Sequence, residues 1–446
     1  MIARPRFSTL ALTALIAIAA LLAGFAVLLG RTSDPVGKTV VTVRLWDEQV
    51  AAAYRESFAD FSRAHPGIEI RTTLVPYASY FDTLRTDVAG GGADDIFWIN
   101  NSHFAEYADN QRLMPIAPSA DWIVPSPDWE PSVVGQFTRD GVLWGVPQLT
   151  DAGIAMYYNQ DLLDAAGITT EQLGSARWDP DPAKDTLRPL LARLTVDTDG
   201  RPATASGFDP RRVRQWGYNA ANDLQGINLN YIGSAGGTFS EGDRFTFDSP
   251  AAATGLGYVV DLINTDHVAP PASDTNDNGD FSRNQFLSGR MAVFQSGTYN
   301  LAQIAGQARF RWGVAMLPTG PAGRVSVTNG IVAAGNSASR HPEAVRAVLA
   351  WLGGTGNAYL GRSGSAIPAV LSAQKVYFDY WRAKGVDVTP FFTVLDGPRI
   401  AAPGGAGFAA GFQAIKPFFD EMFLGRRPVA ETLAAAQHAA NAAAQR

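Results

Sequence analysis

From Thr39 onward the apolar residues fall into two alternating rhythms. "TVVTVRLW" (39–46) is a Val-rich run that reads as a buried strand, and behind it "AAAYRESFADFSRAHPG" spaces Ala52, Tyr54, Phe58 and Phe61 along one face of an amphipathic helix, closed by Pro66-Gly67. "IEIRTTLV" (68–75) is a second strand, "YASYFDTLRTDVAGGG" a second helix ending at glycines, and "DIFWI" a third strand. The order β-α-β-α-β predicts an α/β fold built on a parallel sheet with helices on both faces.

The third strand ends abruptly. In "DDIFWINNSHFAEYADNQRLMPI" the apolar run 96–99 gives way to Asn100-Asn101-Ser102-His103, and an amphipathic segment follows with Phe104, Tyr107, Ala108 and Leu113 at helical intervals. Ligands of open parallel sheets bind beyond the carboxyl ends of strands, where both Trp46-Asp47-Glu48 and Trp98-Ile99-Asn100-Asn101-Ser102 fall. An indole face stacks on the apolar face of a sugar ring, and neighbouring amides and carboxylates take its hydroxyls. The other reading makes Trp98 a core residue and Asn101 and Ser102 caps of the next helix, with Asp47 likewise capping the helix after the first strand. Pattern alone leaves both open.

Composition sets the class. With 446 residues, 46% of them hydrophobic and 17% charged, the chain has apolar surface for two or more packed lobes. A net charge of −6 with no basic run argues against nucleic acid as a partner. Cysteine is absent, which removes disulfides, a thiol nucleophile and Cys-based metal sites. Ahead of the folded part, Arg4 and Arg6 precede the apolar run "LALTALIAIAALLAGFAVLL" (10–29), which at about 20 residues is long enough to cross a bilayer. Positive charge before the run leaves the body of the protein outside the cytoplasm, so residues 1–31 serve as a cleaved signal or a retained membrane anchor. Val27-Leu28-Leu29-Gly30 has the form of a lipobox, but Arg31 stands where the lipidated cysteine would be.

Beyond these patterns the sequence resembles the family 1 extracellular solute-binding proteins of ABC importers, the maltose- and glycerol-3-phosphate-receptor type. The resemblance is carried by "RLWDEQVAAAYRESFADFSRAHPGIEI", "GGGADDIFWINNSHFAEYADNQRLMPI", "GVLWGVPQLTDAGIAMYYNQDLLDAAGI", "FLSGRMAVFQSGTYN", "RWGVAMLPTG" and "VTNGIVAAGNSASRHPEAVRAVLAWLGG", in that order. It implies the two-lobed type II periplasmic-binding-protein fold, with a ligand cleft between lobes joined by a hinge near "PQLTDAG". Matching positions place a linker at 32–38, lobe 1 at 39–149 and 313–367, and lobe 2 at 151–312 and 368–446. They also imply ligand contacts. Trp98, Asn101 and Ser102 match a stacking Trp and two sugar-binding polar groups; Trp46, Asp47 and Glu48 follow the first strand; Asp151 matches a hinge-side acid. In the second lobe Asn222, Asp223 and Gln225 in "NAANDLQG" are candidates. Tyr299 stands where the family usually has Trp, and Arg399, Gly404 and Gly405 lie in the loop "PRIAAPGGAGF".

The expected function is that of an extracytoplasmic monomer that captures a carbohydrate or sugar derivative, needs no cofactor, and passes its ligand to permease subunits powered by a separate ATPase. Several acidic candidates favour a neutral or amine-bearing sugar over a phosphorylated one, unless Arg399 or Arg362 reverses that balance. The enzyme alternative is a secreted glycoside hydrolase using Asp47, Glu48 and Asp151 as its carboxylates. Other chemistry finds no support in spacing. Gly90-Gly91-Gly92 lacks the Lys-Ser or Lys-Thr of a phosphate loop, the five histidines have no metal-ligand spacing, and "TNDNGDF" lacks the twelfth-position Glu of a calcium loop.

Overall fold

The computed structural model describes residues 37–116 and 126–445; residues 1–31, read above as signal or anchor, and most of the linker lie outside the described residues. The first rhythm becomes β1 (Thr39–Leu45), α1 (Glu48–Ala64), β2 (Ile68–Leu74), α2 (Tyr77–Gly90), β3 (Ile96–Asn100) and α3 (Asn101–Asp109). β1 is buried on both faces because it pairs in parallel with β2 on one side, Thr39↔Ile68 through Leu45↔Leu74, and with β3 on the other, Val43↔Ile96. β2 has no outer neighbour and stays half-exposed, which is why its sequence tolerates Glu69, Arg71, Thr72 and Thr73. The one charge inside β1, Arg44, is matched by Asp94 and Asp87, each at 2.6 Å.

The sheet is mixed, not wholly parallel. Its order is β2-β1-β3-β8-β4, where β4 spans Val146–Thr150 and β8 Gly330–Gly335. β8 runs antiparallel to both neighbours, Ile331↔Asn100 and Gly330↔Thr150. The reason is the path of the chain: β4 runs with β1 and β3 and leaves this lobe at the cleft, and β8 enters it from the cleft on the way back. Between them lies a second, three-stranded antiparallel sheet with β5 (Ala155–Asn159) between β6 (Val293–Ser296) and β7 (Trp312–Ala315). Helices α4 (Pro250–Asn264), α6 (Phe408–Phe423) and α7 (Val429–Ala444) pack around it, and α5 (Leu371–Ala383) sits beside the crossing segments.

The apolar cores follow this division. One is built from Val41 to Leu149 and again from Ile331 to Ala373, including Val43, Tyr54, Phe97, Trp98 and Leu349. The other draws on Ile154 to Val327 and Val394 to Ala440, including Trp178, Tyr231, Phe247 and Phe419. A smaller core at the crossings holds Ala152, Tyr157, Phe294, Tyr377, Trp381 and Phe391. The expected resumption of lobe 1 at Gly313 is therefore corrected. Gly313 to Ala315 form β7 against β5, and Leu317, Val325 and Val327 belong to the second core. Lobe 1 resumes at β8, while Val370 and Ala373, expected in lobe 2, pack in the first core.

Three segments cross between the lobes and are laced together. Asp151 N–H donates to Asn329 O at 2.7 Å, Gly153 N–H to Phe391 O at 2.7 Å, and Thr150 N–H to Ile367 O at 3.1 Å. Gly153 is required here by closeness: a Cβ would fall 2.1 Å from Val394 Cγ1 and 3.0 Å from the Phe391 carbonyl oxygen.

Candidate functional site

The carboxyl ends of β1, β2 and β3 form one wall. Asp47 follows β1 and caps α1, its Oδ1 accepting from the N–H groups of Gln49 (2.8 Å) and Val50 (3.0 Å). Burial nonetheless raises its pKa, against the lowering effect of those two bonds, and Glu48 adds to the rise. Glu48 itself is exposed in the first helical turn. Trp46 is half-buried and presents edge contacts to Tyr77, Tyr80 and Trp98 with centroids 5.5, 4.8 and 5.1 Å apart.

Trp98 is not a platform in this cleft. Only 1% of it is accessible, and it packs edge-on between Trp46 and Tyr54 of α1 in the first core. The stacking role expected for it is corrected. A strand residue points to one face or the other, and Trp98 points to the face that α1 covers.

The open aromatic of this wall is Tyr77, at the first position of α2, with 55% of its surface accessible. Its hydroxyl accepts from Asn100 Nδ2 at 3.3 Å, and Asn100 Oδ1 lies 2.8 Å from His103 Nδ1. Burial holds the His103 imidazole neutral, its pKa pushed down to about 3, with Arg85 adding to the fall. The ring stacks on Phe81 at 3.6 Å. Because an amide oxygen only accepts, His103 Nδ1 carries the proton, which orients Asn100 and leaves the Tyr77 O–H free to donate into the cleft. The same strand-end rule that singled out β1 and β3 applies to "VPY" at the end of β2, so Tyr77 was within reach of the sequence but was not selected.

The opposite wall and the crossing supply the acids. Asp151, on the first crossing, has its pKa raised to about 7: burial is the main cause, the nearby Gln225 side chain works against the rise, and Asp47 adds to it. Asp223 caps a π-helical turn (Leu224–Asn228) by accepting from Gln225 N–H (3.1 Å) and Gly226 N–H (2.9 Å). It is open to solvent, yet the walls around it raise its pKa. Tyr299, 40% accessible, has its phenol pushed well up, by burial first and then by Asp223, with Asp151 adding to the rise. Tyr77 is pushed up to about 12, again by burial first, with Asp151 and Asp223 contributing. Buried Tyr377 on α5 also feels Asp151; nothing in its helical sequence context marked it.

These couplings bring groups of both lobes and the crossing near one another. Asp47 and Tyr77 come from the first lobe, Asp151 from the crossing, and Asp223, Gln225 and Tyr299 from the second. Asn222 stands beside the turn, its Oδ1 accepting from Asn228 Nδ2 at 3.0 Å.

The remaining candidates converge elsewhere, chiefly on one another. Asn101 is 9% exposed and its Nδ2 donates to the carbonyl oxygens of Ala402 and Pro403, both at 3.2 Å, while Ser102 Oγ donates to Pro403 O at 2.9 Å. Their polar groups hold a loop of the other lobe, and the expected ligand contacts at Asn101 and Ser102 are corrected accordingly. Two positions of that loop are too close to their neighbours for a side chain. A Cβ on Gly404 would lie 2.9 Å from Asn101 Nδ2, and Gly405, with φ at +117°, would put one 2.4 Å from Asp243 Oδ1. Arg399 is exposed and its guanidinium donates to the Leu395 carbonyl at 3.0 and 2.7 Å. Arg362 lies over the Tyr359 ring at 4.6 Å. Among the described residues no group of His, Asp or Glu could hold a metal ion.

Comparison with known proteins agrees with this architecture. The sequence model of the bacterial extracellular solute-binding proteins matches residues 46–359. The crystal structure of UspC from Mycobacterium tuberculosis is 71% identical, covering 91% of this chain and 100% of that one, with a TM-score of 0.72. The GacH receptor of Streptomyces glaucescens, solved unliganded and in complex with acarbose, shares the fold at 21% identity, covering 92% of this chain and 99% of that one, with a TM-score of 0.74. The maltodextrin-binding protein MdxE of Bacillus subtilis is 23% identical over 344 residues, 76% of this chain and 75% of that protein.

Proposed function

Since the chain belongs to the bacterial extracellular solute-binding protein family, we propose that it captures a carbohydrate or sugar derivative outside the cytoplasm and hands it to the permease of an ABC importer driven by a separate ATPase. The lobes close on the ligand, and the closed form docks. The apolar run 10–29, outside the described residues, would carry the protein across the membrane and hold it there if it is retained.

The observation that carries the reading is the convergence of Asp47, Asp151 and Asp223 with the solvent-open rings of Tyr77 and Tyr299. Phenol faces give flat apolar surface for a sugar ring, and carboxylates and amides accept or donate to its hydroxyls. Asp47 and Asp151 near each other, with Asp223 beside the same two tyrosines as Asp151 and with Arg399 and Arg362 engaged elsewhere, favour a neutral or amine-bearing sugar and oppose a phosphorylated one. The carboxylates act as acceptors, not as a catalytic pair: the protein is a receptor and returns its ligand unchanged. MdxE is a maltodextrin-binding protein and GacH was solved in complex with acarbose, which supports sugar as the ligand class.

The test is titration calorimetry of the protein with a neutral hexose, a hexosamine and a hexose phosphate, followed by recovery of the ligand after long incubation. One-to-one binding of one of the first two, recovered intact, is expected. Preference for the phosphate, or turnover of a glycoside that vanishes in Asp151→Asn, would overturn the assignment.

A further inference from the structure

Asp223 and Gln225 reach the cleft from a turn in an uncommon register. In the π-helical segment Leu224–Asn228 the N–H of Asn228 reaches back five residues to Asp223 O at 2.8 Å, and the N–H of Leu229 to Leu224 O. An α-helical register is the default, and a π turn persists where its surroundings hold it. Here the surroundings are buried side chains that take the carbonyls of the turn. Gln295, fully buried on β6, donates from Nε2 to Gly226 O at 2.7 Å, and Asn230 Nδ2 donates to Gln225 O at 2.7 Å.

Gln295 has no freedom to turn its amide round. Its Oε1 accepts from Tyr218 O–H at 2.5 Å, and the Tyr218 oxygen accepts in turn from Tyr231 O–H at 3.1 Å. Its backbone is clamped by Asn219, whose Oδ1 accepts from Gln295 N–H at 2.7 Å and whose Nδ2 donates to Gln295 O at 2.9 Å. With Oε1 committed to Tyr218, only the NH2 can face the Gly226 carbonyl. A Cβ on Gly226 would lie 2.7 Å from the Asp223 carboxylate, so a side chain here would push the acid out of its place.

We propose that Gln295 is a positioning residue for the ligand site: oriented by Tyr218 and Asn219, it holds the Gly226 carbonyl and so fixes the π turn that aims Asp223 and Gln225 into the cleft. The proposal rests on the ligand reading above for its importance to binding, but the turn itself can be measured without ligand. The register is carried by the N–H groups of Asn228 and Leu229, bonded to Asp223 O and Leu224 O, while the N–H groups of Gln225 and Gly226 hold the Asp223 carboxylate and favour the ionised acid. The rings facing Asp223, Tyr77 from the first lobe and Tyr299 from the second, make no hydrogen bond with Gln295.

The discriminating variants are Gln295→Glu, which keeps the size but sets an acceptor against the Gly226 carbonyl, and Tyr218→Phe, which only frees the amide to turn. In the ligand-free full chain, hydrogen exchange of the Asn228 and Leu229 amides reports the register of the turn and NMR titration of the Asp223 carboxyl reports the aim of the acid; calorimetry with the hexose or hexosamine that binds the parent protein reports the site. Both variants are expected to raise the Asp223 pKa and speed exchange of those amides, and to weaken binding by about tenfold, the scale of one charge-assisted hydrogen bond. Tyr218→Phe preserves the test if Gln295→Glu does not fold. An unchanged Asp223 titration and unchanged exchange in a folded variant would overturn the inference. A shifted titration with unchanged sugar affinity would instead uphold the bracing of the turn and count against the sugar site itself.

Discussion

Replacing Trp98 by alanine tests which face of β3 carries the indole. With 1% of its surface accessible and Trp46 and Tyr54 packed edge-on against it, the side chain keeps nearly all of the ~150–250 Å² that a large aromatic can bury. At ~25 cal/mol per Å² that burial is worth roughly 4–6 kcal/mol. Alanine retains about 1 kcal/mol of it, which leaves a loss of about 3–5 kcal/mol, in line with other buried aromatic-to-alanine changes. At ~2–4 °C per kcal/mol for a unit of this size, the melting temperature of the ligand-free protein should fall by roughly 6–20 °C. Tyr77→Ala is the matched control. More than half of that ring is already open to water, so its truncation should cost at most ~1–2 kcal/mol of stability, while ligand affinity falls about tenfold. Urea unfolding followed by intrinsic fluorescence gives the stabilities, and calorimetry the affinities. A Trp98→Ala protein that unfolds like the parent but has lost its ligand would place the indole on the cleft surface and refute the reasoning.

Three further outcomes are expected. Asp151 has a folded-state pKa of about 7, above its unfolded value near 4; the folded state therefore binds the proton more tightly, and the ligand-free protein should lose stability as pH rises from ~4 to ~7. Urea midpoints across that range should slope less steeply in Asp151→Asn, and an equal slope would refute the burial of the acid. If the ligand carries an amine, binding near pH 7 should also release a proton from Asp151, seen as a buffer-dependent heat, and heats that do not vary with buffer would exclude it. Gly153→Ala should destabilise by about 1–3 kcal/mol through overpacking, because its Cβ would meet Val394 and the Phe391 carbonyl; a variant that melts with the parent would show that the crossing gives way easily. Asn101→Ala should free the carbonyl of Ala402 and leave that of Pro403 to Ser102 alone, and so speed hydrogen exchange in the loop over residues 402–406, with little direct change in affinity; a large loss of affinity with unchanged exchange would return Asn101 to the ligand site.

What the sequence determined was local and periodic. The Val-rich run at 39–45, the spacing of Tyr54, Phe58 and Phe61, and the capping chemistry of Asp47 specify β1 and α1 through their neighbours in the chain; the three strands appear within a residue of their expected limits, and α1 starts at Glu48, three residues ahead of its apolar pattern. The strand-end argument likewise led to Asp47, and resemblance to Asp151, Asp223, Gln225 and Tyr299, which the fold gathers into one cleft. Tertiary structure decided the rest. Trp98 closes a strand whether it faces helix or cleft, and only the placement of α1 over β3 makes it core. Asn101 and Ser102 read as ligand groups until a loop some 300 positions away occupies them. Gly313 looks like a lobe boundary until β7 pairs with β5. Each of these depends on which segment arrives as a neighbour across a long separation in the chain, and periodicity, which records a residue's alternation of faces, carries no information about what will cover them.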